Sequence, residues 1–396
     1  MEHLSRLSPA KQHILVATHS WASFLAVAVL AVLLPVLSAC QPSPPRTILF
    51  IAKDQATTLS LNPTRLLTTA EMARKTRQAL CGEDCTARHH YIWYDGPEEV
   101  GVQLAREFLE NNVGVFALVG DINSAGTALV AELAREFAIP HVSFFATDDT
   151  IFENNPLSFS YRERVSNETQ ALISILEHLN IHNIAMVTTD LVNYIPRWRD
   201  FLGKAQARSI NVSSQYDLVR SVIDFNPTLD TLEEKTDTYD AIVTFLGSNQ
   251  LNHFIQQLGM RSIDVPLILT GVGMDPETVA ELAGIYTPVY SFAYEHFVEL
   301  QNPQNQALQD FAQEYRIAMG YHRIDTLGPW IYDGVLLLHE LISESQSPLD
   351  IPEKLLNYRE KRLIGKVSFN PAGTLSEQTF VLVRTDSGTF IPLVMD

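Results

Sequence analysis

Basic residues are scarce in this sequence. It holds 28 Lys and Arg against 46 Asp and Glu, so its formal net charge is −18. Because nucleic acids require basic patches that neutralise their phosphates, this balance argues against nucleic-acid binding. No block of like charge is present, so the sequence predicts no acidic tail. No repeat with a period of roughly 20–50 residues is found, which argues against a solenoid or a propeller.

Recognisable catalytic motifs are also lacking. The sequence contains no GxSxG, HExxH, Walker or GxGxxG motif. Asp148, Asp149 and Glu153 could be read as an acid pair, but a polar loop is the simpler interpretation. We therefore expect a protein that is not an enzyme, with no catalytic residue, no cofactor and no metal, although fold analogy alone does not exclude chemistry.

The composition is that of a globular protein. Of 396 residues, 46% are apolar and 19% are charged, which gives ample material for a large core. This length suits one two-lobed domain or two ordinary domains. No low-complexity segment is found beyond Gln41-Pro-Ser-Pro-Pro45, which predicts a short extended tether.

The first 39 residues have the pattern of an export signal. An apolar run from Trp21 to Leu37 follows basic residues, and Leu37-Ser38-Ala39-Cys40 resembles a bacterial lipobox. We therefore expect residues 1–39 to be a lipoprotein signal peptide, Cys40 to be lipidated and residues 40–46 to form a lipidated tether. The alternative is a retained membrane helix, because the apolar run is near the length needed to span a bilayer, although Pro35 would kink it.

Two further cysteines, Cys81 and Cys85, follow in the run CGEDC. Export implies an oxidising compartment, in which a local disulfide between them is plausible. Gly82 would help the tight loop to close. A metal site is the alternative, because Cys81, Cys85 and His89 fall four residues apart and would share one face of a helix. The usual CxxC pairing is missing, so we favour the disulfide.

The clearest structural unit lies between residues 113 and 147. Val113–Val119 is an apolar run of strand length, an amphipathic helix follows at 125–137, and a second apolar run covers His141–Phe145. This predicts a strand–helix–strand unit, and ligands of open parallel sheets sit beyond the carboxyl ends of the strands. Ser124 and Thr147 stand at those ends, beside a helix N-terminus that favours an anion. The alternative for Ser124 is a helix cap only.

Strands and helices alternate through most of the remaining chain, which predicts parallel sheets with helices on both faces. The predicted strands are 47–52, 91–94, 184–188, 212–218, 241–246, 266–270 and 288–292. On the helix predicted at 97–110, Val100, Leu104 and Phe108 form the apolar face. The end of the chain differs. Helices are expected there at 306–319, 330–343 and 352–361, and short strands at 366–369, 380–383 and 390–394.

In this order, the motifs resemble those of the type I periplasmic solute-binding proteins, in their branched-chain amino-acid binding branch. The matching segments are Tyr94-Asp95, Leu118-Val119-Gly120, Ser124, Ile139 to Thr147, Tyr161-Arg162, Asp190 to Tyr194, Asp224-Phe225, Tyr332-Asp333 and Gly365 to Gly373. The resemblance implies two doubly wound parallel-sheet α/β lobes, joined by three crossovers, with a cleft that closes on a small ligand. It places lobe 1 at residues 47–162 and 294–364, and lobe 2 at residues 163–293 and 365–396.

The resemblance also implies a set of ligand contacts. They are Ser124, Phe145, Thr147, Tyr194, Ser248 and Asn249. Ser124 and Thr147 would hold a ligand carboxylate, and Phe145 would contribute main-chain atoms. Tyr194 would lean on the ligand from the second lobe. A turn role for Thr147 and rim packing for Tyr194 are the alternatives.

The sequence departs from the amino-acid binders on the second lobe. Val272 stands where they usually place the acid that pairs with the ligand ammonium, and Gly247 replaces a position that is often aromatic. Asp275 and Glu277 lie nearby but are better placed to stabilise a helix N-terminus. On the first lobe, Lys53 is either an anion partner or a solvated loop charge. The sequence therefore predicts a site for a carboxylate rather than for a free α-amino group.

We therefore expect a lipid-anchored extracytoplasmic receptor that closes on a small, carboxylate-bearing ligand, such as an amino acid, for an ABC importer. It would be held on a bacterial membrane and face the periplasm or the exterior. The alternative is a ligand sensor or envelope regulator on the same fold that docks a protein partner. Gln41 after the lipidated cysteine fits outer-membrane sorting in a Gram-negative cell, which would suit an importer's receptor poorly.

Overall fold

The computed structural model describes residues 45–54, 63–146, 148–162, 164–191, 194–270, 282, 287–301, 305–320, 327–376, 380–386 and 389–393. From Arg46 onward the chain forms one compact unit. The expected signal segment, Cys40, Thr147 and residues 272–277 lie outside the described residues. No helix within the described ranges is both long and apolar enough to cross a membrane.

The first sheet has five parallel strands in the order β2-β1-β3-β4-β5. Its strands are β1 (Thr47–Lys53), β2 (Arg88–Tyr94), β3 (Val115–Val119), β4 (His141–Ser143) and β5 (Ser158–Ser160). Its helices are α1 (Pro63–Cys81), α2 (Glu98–Asn111) and α3 (Ser124–Phe137). The central residues of β1 are all buried, as expected for a strand covered on both faces. The strand order reverses between β1 and β3, and ligands of open α/β sheets bind at such a switch point.

The second sheet has seven strands in the order β14-β13-β10-β9-β8-β6-β7. Its parallel strands are β6 (Asn183–Thr189), β7 (Asn211–Leu218), β8 (Ala241–Phe245), β9 (Leu267–Leu269) and β10 (Val289–Tyr294). The antiparallel strands β13 (Phe380–Asp386) and β14 (Thr389–Pro392) extend one edge. Its helices are α4 (Val165–His178), α5 (Ile195–Ala207), α6 (Asn226–Glu234) and α7 (Ser248–Leu258). Here the switch point lies between β6 and β8.

Within the described residues, the chain passes between the two sheets three times, at residues 161–162, 295–301 and 358–376. The second passage contains α8 (Glu295–Gln301). Between the second and third passages lie α9 (Gln306–Met319), α10 (Gly328–Ser343) and α11 (Asp350–Asn357). The third passage contains the hairpin of β11 (Arg359–Arg362) and β12 (Gly365–Ser368). Short 3-10 turns lie at Glu83–Cys85, Asp149–Ile151 and Thr236–Thr238. The predicted fold of two α/β lobes with three crossovers is confirmed. The residue bounds of the lobes stay a prediction.

Two predicted elements end earlier in the structure than expected, and one helix of the structure was not predicted. The helix expected to reach residue 361 ends at Asn357, because residues 359–362 pair with β12 in a hairpin whose turn is closed by Gly365 at φ +108°. The strand expected to reach Phe145 ends at Ser143, whose hydroxyl accepts hydrogen bonds from the main-chain N–H groups of residues 145 and 146. The helix α8 was not predicted.

The predicted apolar face of α2 is also wrong. Val100 and Leu104 are each 41% exposed, whereas Gly101 and Ala105 are buried. A side chain at position 101 would meet the ring of Tyr94, since a Cβ there would lie 2.3 Å from a ring carbon. The helix therefore turns Gly101, Ala105 and Leu109 toward the sheet, so its buried face is offset by one position from the predicted one.

Candidate functional site

A buried carboxylate lies at the switch point of the five-stranded sheet. Asp121, two residues after β3, is 1% exposed. Its Oδ1 accepts hydrogen bonds from the main-chain N–H groups of Ile122 and Lys53, the latter at 3.1 Å, and the hydroxyl of Tyr94 donates to Oδ2. Burial raises the pKa of Asp121, while these hydrogen bonds lower it. A Cβ at Gly126 would lie 2.2 Å from Oδ2, so α3 begins in direct contact with this carboxylate.

The first turn of α3 is capped by the residue before the helix. Asn123 Oδ1 accepts a hydrogen bond from the N–H of Gly126 at 2.8 Å. The hydroxyl of Thr127 accepts from the N–H of Asp121 at 3.1 Å and donates to the carbonyl of Asn123 at 2.7 Å. Ser124 is the first residue of the helix and is half-buried. The N-cap is therefore Asn123, and the ligand role of Ser124 stays a prediction.

Lys53, at the end of β1, forms an ion pair within its own lobe. Its Nζ lies 3.0 Å from Glu98 Oε1, and Asn123 Nδ2 donates to the same oxygen at 3.4 Å. The hydrogen bond from Lys53 holds the pKa of Glu98 below its usual range. The Lys53 ammonium is paired with the Glu98 carboxylate. It is therefore neither a free anion partner nor a solvated loop charge, the two interpretations given above.

The loop after β4 is held by the first connection between the lobes. Phe145 is 7% exposed, and its carbonyl accepts a hydrogen bond from Arg162 Nη1 at 3.0 Å. The Phe145 carbonyl therefore already has a protein partner, and the predicted main-chain contact of Phe145 with a ligand stays a prediction. Thr147 lies outside the described residues.

Tyr194 lies at the start of α5, beyond the end of β6, and is 2% exposed. Burial raises the pKa of Tyr194, Arg197 and Arg162 lower it, and Glu168 raises it. Arg197 and Glu168 form a buried ion pair with 2.6 Å between Nε and Oε2. Tyr194 belongs with Phe145 to one continuous cluster of buried apolar side chains. Arg162, on the first connection between the lobes, bonds to the Phe145 carbonyl and also lowers the pKa of Tyr194, so its charge acts on residues that follow strands of both sheets.

The carboxyl ends of the seven-stranded sheet carry buried polar atoms that have no partner among the residues described. Thr189 is the last residue of β6 and Thr270 directly follows β9, and they are 2% and 3% exposed. Within the described ranges, neither hydroxyl has a hydrogen-bond partner, nor does Oε1 of the buried Gln250. The Nε2 of Gln250 donates to the carbonyls of Val219 and Val222, which fixes the amide. A buried polar atom that lacks a hydrogen bond costs about 1–3 kcal/mol.

The other residues predicted on this lobe stand at the start of α7. Ser248 and Asn249 are its first two residues, and Asn249 is exposed. Both assignments stay predictions. Sequence reasoning missed Asp121, Thr189, Gln250 and Thr270. The two threonines end apolar runs, which is the criterion that selected Thr147, and so they could have been found.

Several secondary predictions can be placed as well. The Cα atoms of Cys81 and Cys85 lie 6.1 Å apart, a distance that a disulfide spans. We keep this bond as a prediction. His89 lies on β2 and contacts His339 and Glu71. Asp149 forms an ion pair with Arg164. Within the part of the chain that the structure describes, no three His, Cys, Asp or Glu side chains are grouped to hold a metal ion.

Comparison with known proteins gives one family and a set of related folds. Residues 94–387 match the family described as the receptor family ligand binding region. No curated protein matches the chain. The structure is similar to the branched-chain amino acid transporter substrate binding protein of Streptococcus pneumoniae in complex with isoleucine. The TM-score is 0.67 at 20% identity, over 87% of this chain and 97% of that chain.

Two further solved structures are similar to this chain. One is an ABC transporter solute binding protein of R. palustris in complex with benzoate, with a TM-score of 0.68 at 15% identity, over 88% of this chain and 95% of that chain. The other is an ABC transporter substrate-binding protein of Desulfitobacterium hafniense in complex with Leu, with a TM-score of 0.67 at 20% identity, over 88% of this chain and 100% of that chain. Because the family match covers most of the sequence, the chain belongs to the receptor family ligand binding region, with the fold of type I periplasmic binding proteins of the branched-chain amino-acid kind.

Proposed function

We propose that this protein is an extracytoplasmic solute-binding protein that encloses a small ligand between its two lobes for an ABC importer. One observation carries the proposal: Arg162, on the first connection between the lobes, bonds to Phe145 after β4 of one sheet and acts electrostatically on Tyr194 after β6 of the other. A ligand placed there would contact both lobes, so binding would favour the closed arrangement, which a partner could then recognise. No chemistry follows binding, so the protein is not an enzyme.

The ligand that we propose bears a carboxylate. Isoleucine, Leu and benzoate, which are bound by three of the similar structures, all do so. Ser124 and Thr147 remain the proposed anchors on the first lobe. On the second lobe, the carboxylate of Glu168 is occupied by Arg197, while Thr189 and Thr270 offer neutral hydroxyls. This contrast supports a ligand whose second polar group is neutral rather than an ammonium.

The binding test is a thermal-shift screen of the chain that starts after Cys40, against amino acids, carboxylates, amides and short peptides. A ligand at a hundredfold excess over its Kd should stabilise the protein by about 2.7 kcal/mol. Ser124→Ala and Thr147→Ala should each weaken a carboxylate hit by roughly 1–3 kcal/mol. The matched control is Ser174→Ala, because that hydroxyl donates to Gln170 O within α4. Unchanged affinity in both site variants would show that the site is misplaced.

We propose in addition that the protein is anchored by lipid on Cys40. The lipobox-like sequence Leu37-Ser38-Ala39-Cys40 supports this. Cells grown with a radiolabelled fatty acid should yield a labelled protein, and Cys40→Ser should abolish the label and release the protein from membranes. A labelled Cys40→Ser variant would contradict the assignment. Fractionation of inner and outer membranes would locate the anchor.

A sensor or envelope regulator is the second candidate, and one observation favours it. At the first lobe, Asp121 lies at the start of α3 and the Phe145 carbonyl is engaged by Arg162, so part of the expected ligand wall is already occupied by the protein. A flat thermal response across the whole panel would favour this candidate. Permease and ATPase genes beside the coding sequence would favour the importer.

A further inference from the structure

Side chains from all three connections between the lobes contact the start of α10. Trp330 and Asp333 lie one turn apart on this helix and are each 2% exposed. Neither residue belongs to a strand end or to a predicted ligand contact. Each connection nevertheless places a side chain against one or both of them, as the contacts of Tyr161, His296 and Arg362 show.

The first connection contributes Tyr161, which directly follows β5. Its hydroxyl donates to Asp333 Oδ2 at 2.9 Å, and its ring centroid lies 6.2 Å from that of Trp330. Tyr161 is 1% exposed, so this hydrogen bond is shielded from water. The position of the first connection is therefore fixed relative to α10 by one polar and one aromatic contact.

The third connection contributes Arg362, on the hairpin strand β11. Its Nε donates to Asp333 Oδ1 at 2.9 Å, and its Nη1 donates to Glu340 Oε2 at 2.6 Å. Burial raises the pKa of Asp333, and Arg362 and Tyr161 lower it. The two oxygens of one carboxylate thus hold two different connections. Charge-assisted hydrogen bonds of this kind are the stronger ones.

The second connection contributes ring contacts to the same helix. The ring of Tyr294, at the end of β10, lies 5.4 Å from Trp330, and that of His296 lies 6.0 Å away. The second and third connections also touch, since Lys361 Nζ lies 3.5 Å from Glu295 Oε1. A change in the angle between the lobes must therefore shift contacts around Trp330 and Asp333.

We propose that Asp333 is a positioning residue that sets the balance between the open and closed arrangements of the lobes. This inference rests on the proposed function. The Asp333 hydrogen bonds are formed in the arrangement that the structure shows, so they stabilise this arrangement of the lobes over others. A change at Asp333 alters the fraction of binding-competent protein without touching the ligand, and it therefore changes the affinity for every ligand by the same factor.

The test compares Asp333→Asn and Tyr161→Phe in the full chain, purified in detergent. Fluorophores are introduced through non-canonical amino acids at the exposed positions Arg135 on α3 and Gln206 on α5. Without ligand, both variants should show interlobe distances that differ from those of the wild type by single-molecule energy transfer. Both should also change the affinity for every ligand found by the thermal screen by one common factor, about three- to thirtyfold.

The matched control is Tyr239→Phe, which removes a buried hydroxyl that donates to Leu232 O at 2.8 Å within the second lobe. It should leave the distances and all affinities unchanged. If Asp333→Asn fails to fold, Tyr161→Phe decides, since it removes a single oxygen. Wild-type distances in the site variants, or changes in affinity that differ between ligands, would overturn the inference. If no ligand is found, the proposed function fails, and the ligand-free distances still decide the role of Asp333.

Discussion

The carboxyl ends of the two sheets are built differently. At the five-stranded sheet, Lys53, Asp121 and Thr127 all have partners within the chain. At the seven-stranded sheet, the hydroxyls of Thr189 and Thr270 are buried without a partner among the described residues. A fully satisfied network is rigid and needs nothing further, whereas an unsatisfied buried atom is costly. The seven-stranded end therefore gains more from a bound polar group, although motif matching placed the ligand anchor at the other end.

Acid should damage the five-stranded half most, through its buried histidines. Burial lowers the pKa of His141 to about 4 and that of His339 to about 3, and it also lowers the pKa of His89. In the unfolded chain each group titrates near 6.5, so the stability that neutral burial contributes is complete above that pH and is lost as the pH falls toward 3 to 4. At pH 5 the loss is about 2 kcal/mol each for His141 and His339, or roughly 4 kcal/mol for the two, and the lowered pKa of His89 adds a loss in the same direction. Urea unfolding between pH 7.5 and 4.5 measures it.

Two variants test the source of this slope. His339→Gln removes one titrating group and should flatten the dependence of unfolding free energy on pH. His178→Gln, at an exposed position of α4, should leave it unchanged. His296 lies in the second connection with its pKa lowered by burial to about 3, and it adds a loss of similar size outside either strand end. Equal slopes for the wild type and His339→Gln would contradict the assignment.

Removal of one acid from each end compares the two ends directly. Asp121→Ala leaves the Tyr94 hydroxyl and the Lys53 N–H without their acceptor, so we expect a loss of about 3 kcal/mol in unfolding free energy. Asp190→Ala removes an acceptor for the Arg220 N–H, but its side chain is 46% exposed and water can replace it, so the loss should stay below about 1 kcal/mol. Denaturant titration of both variants measures the difference. Equal losses would mean that the first end is no better organised than the second.

The sequence carried enough information for the architecture, because apolar runs and caps repeat in a regular order. The helix Gln306–Met319 was predicted with its observed bounds. The failures are places where tertiary packing overrides pattern. On α2, the large residues suggested the buried face, but the ring of Tyr94 requires the small face of Gly101 against the sheet. The periodicity of apolar residues cannot predict that contact.

The candidate site was harder to predict than the fold. Ser124 and Tyr194 lie at strand ends as expected, because strand ends follow from the order of elements. Hydrogen-bond partners do not follow from that order. The pairing of Lys53 with Glu98, and that of the Phe145 carbonyl with Arg162, join residues that are 45 and 17 positions apart. Such partners depend on the folded arrangement, so the sequence does not show that the Phe145 carbonyl accepts a hydrogen bond from Arg162.

The comparison with the smallest expected effect is also the most direct, because the same Thr→Val substitution is made at the carboxyl ends of both sheets. Thr127→Val removes a hydroxyl that bonds to Asp121 and Asn123, so we expect a loss of about 1 kcal/mol in unfolding free energy. Thr189→Val and Thr270→Val remove hydroxyls without a described partner. In the absence of ligand, these two variants should be neutral or more stable by about 1 kcal/mol. Denaturant titration distinguishes the two signs.

The same variants should rank in the opposite order when ligand affinity, rather than unfolding free energy, is measured. If a bound polar group completes the seven-stranded end, Thr189→Val or Thr270→Val will weaken binding although it does not weaken the fold, and isothermal titration calorimetry will detect the loss. Thr127→Val should bind with nearly the parent affinity, because its hydroxyl is satisfied inside the protein. A loss of stability in the two second-lobe variants would mean that their hydroxyls already have partners, such as ordered water. The buried polar groups at both sheet ends would then have hydrogen-bond partners without a ligand.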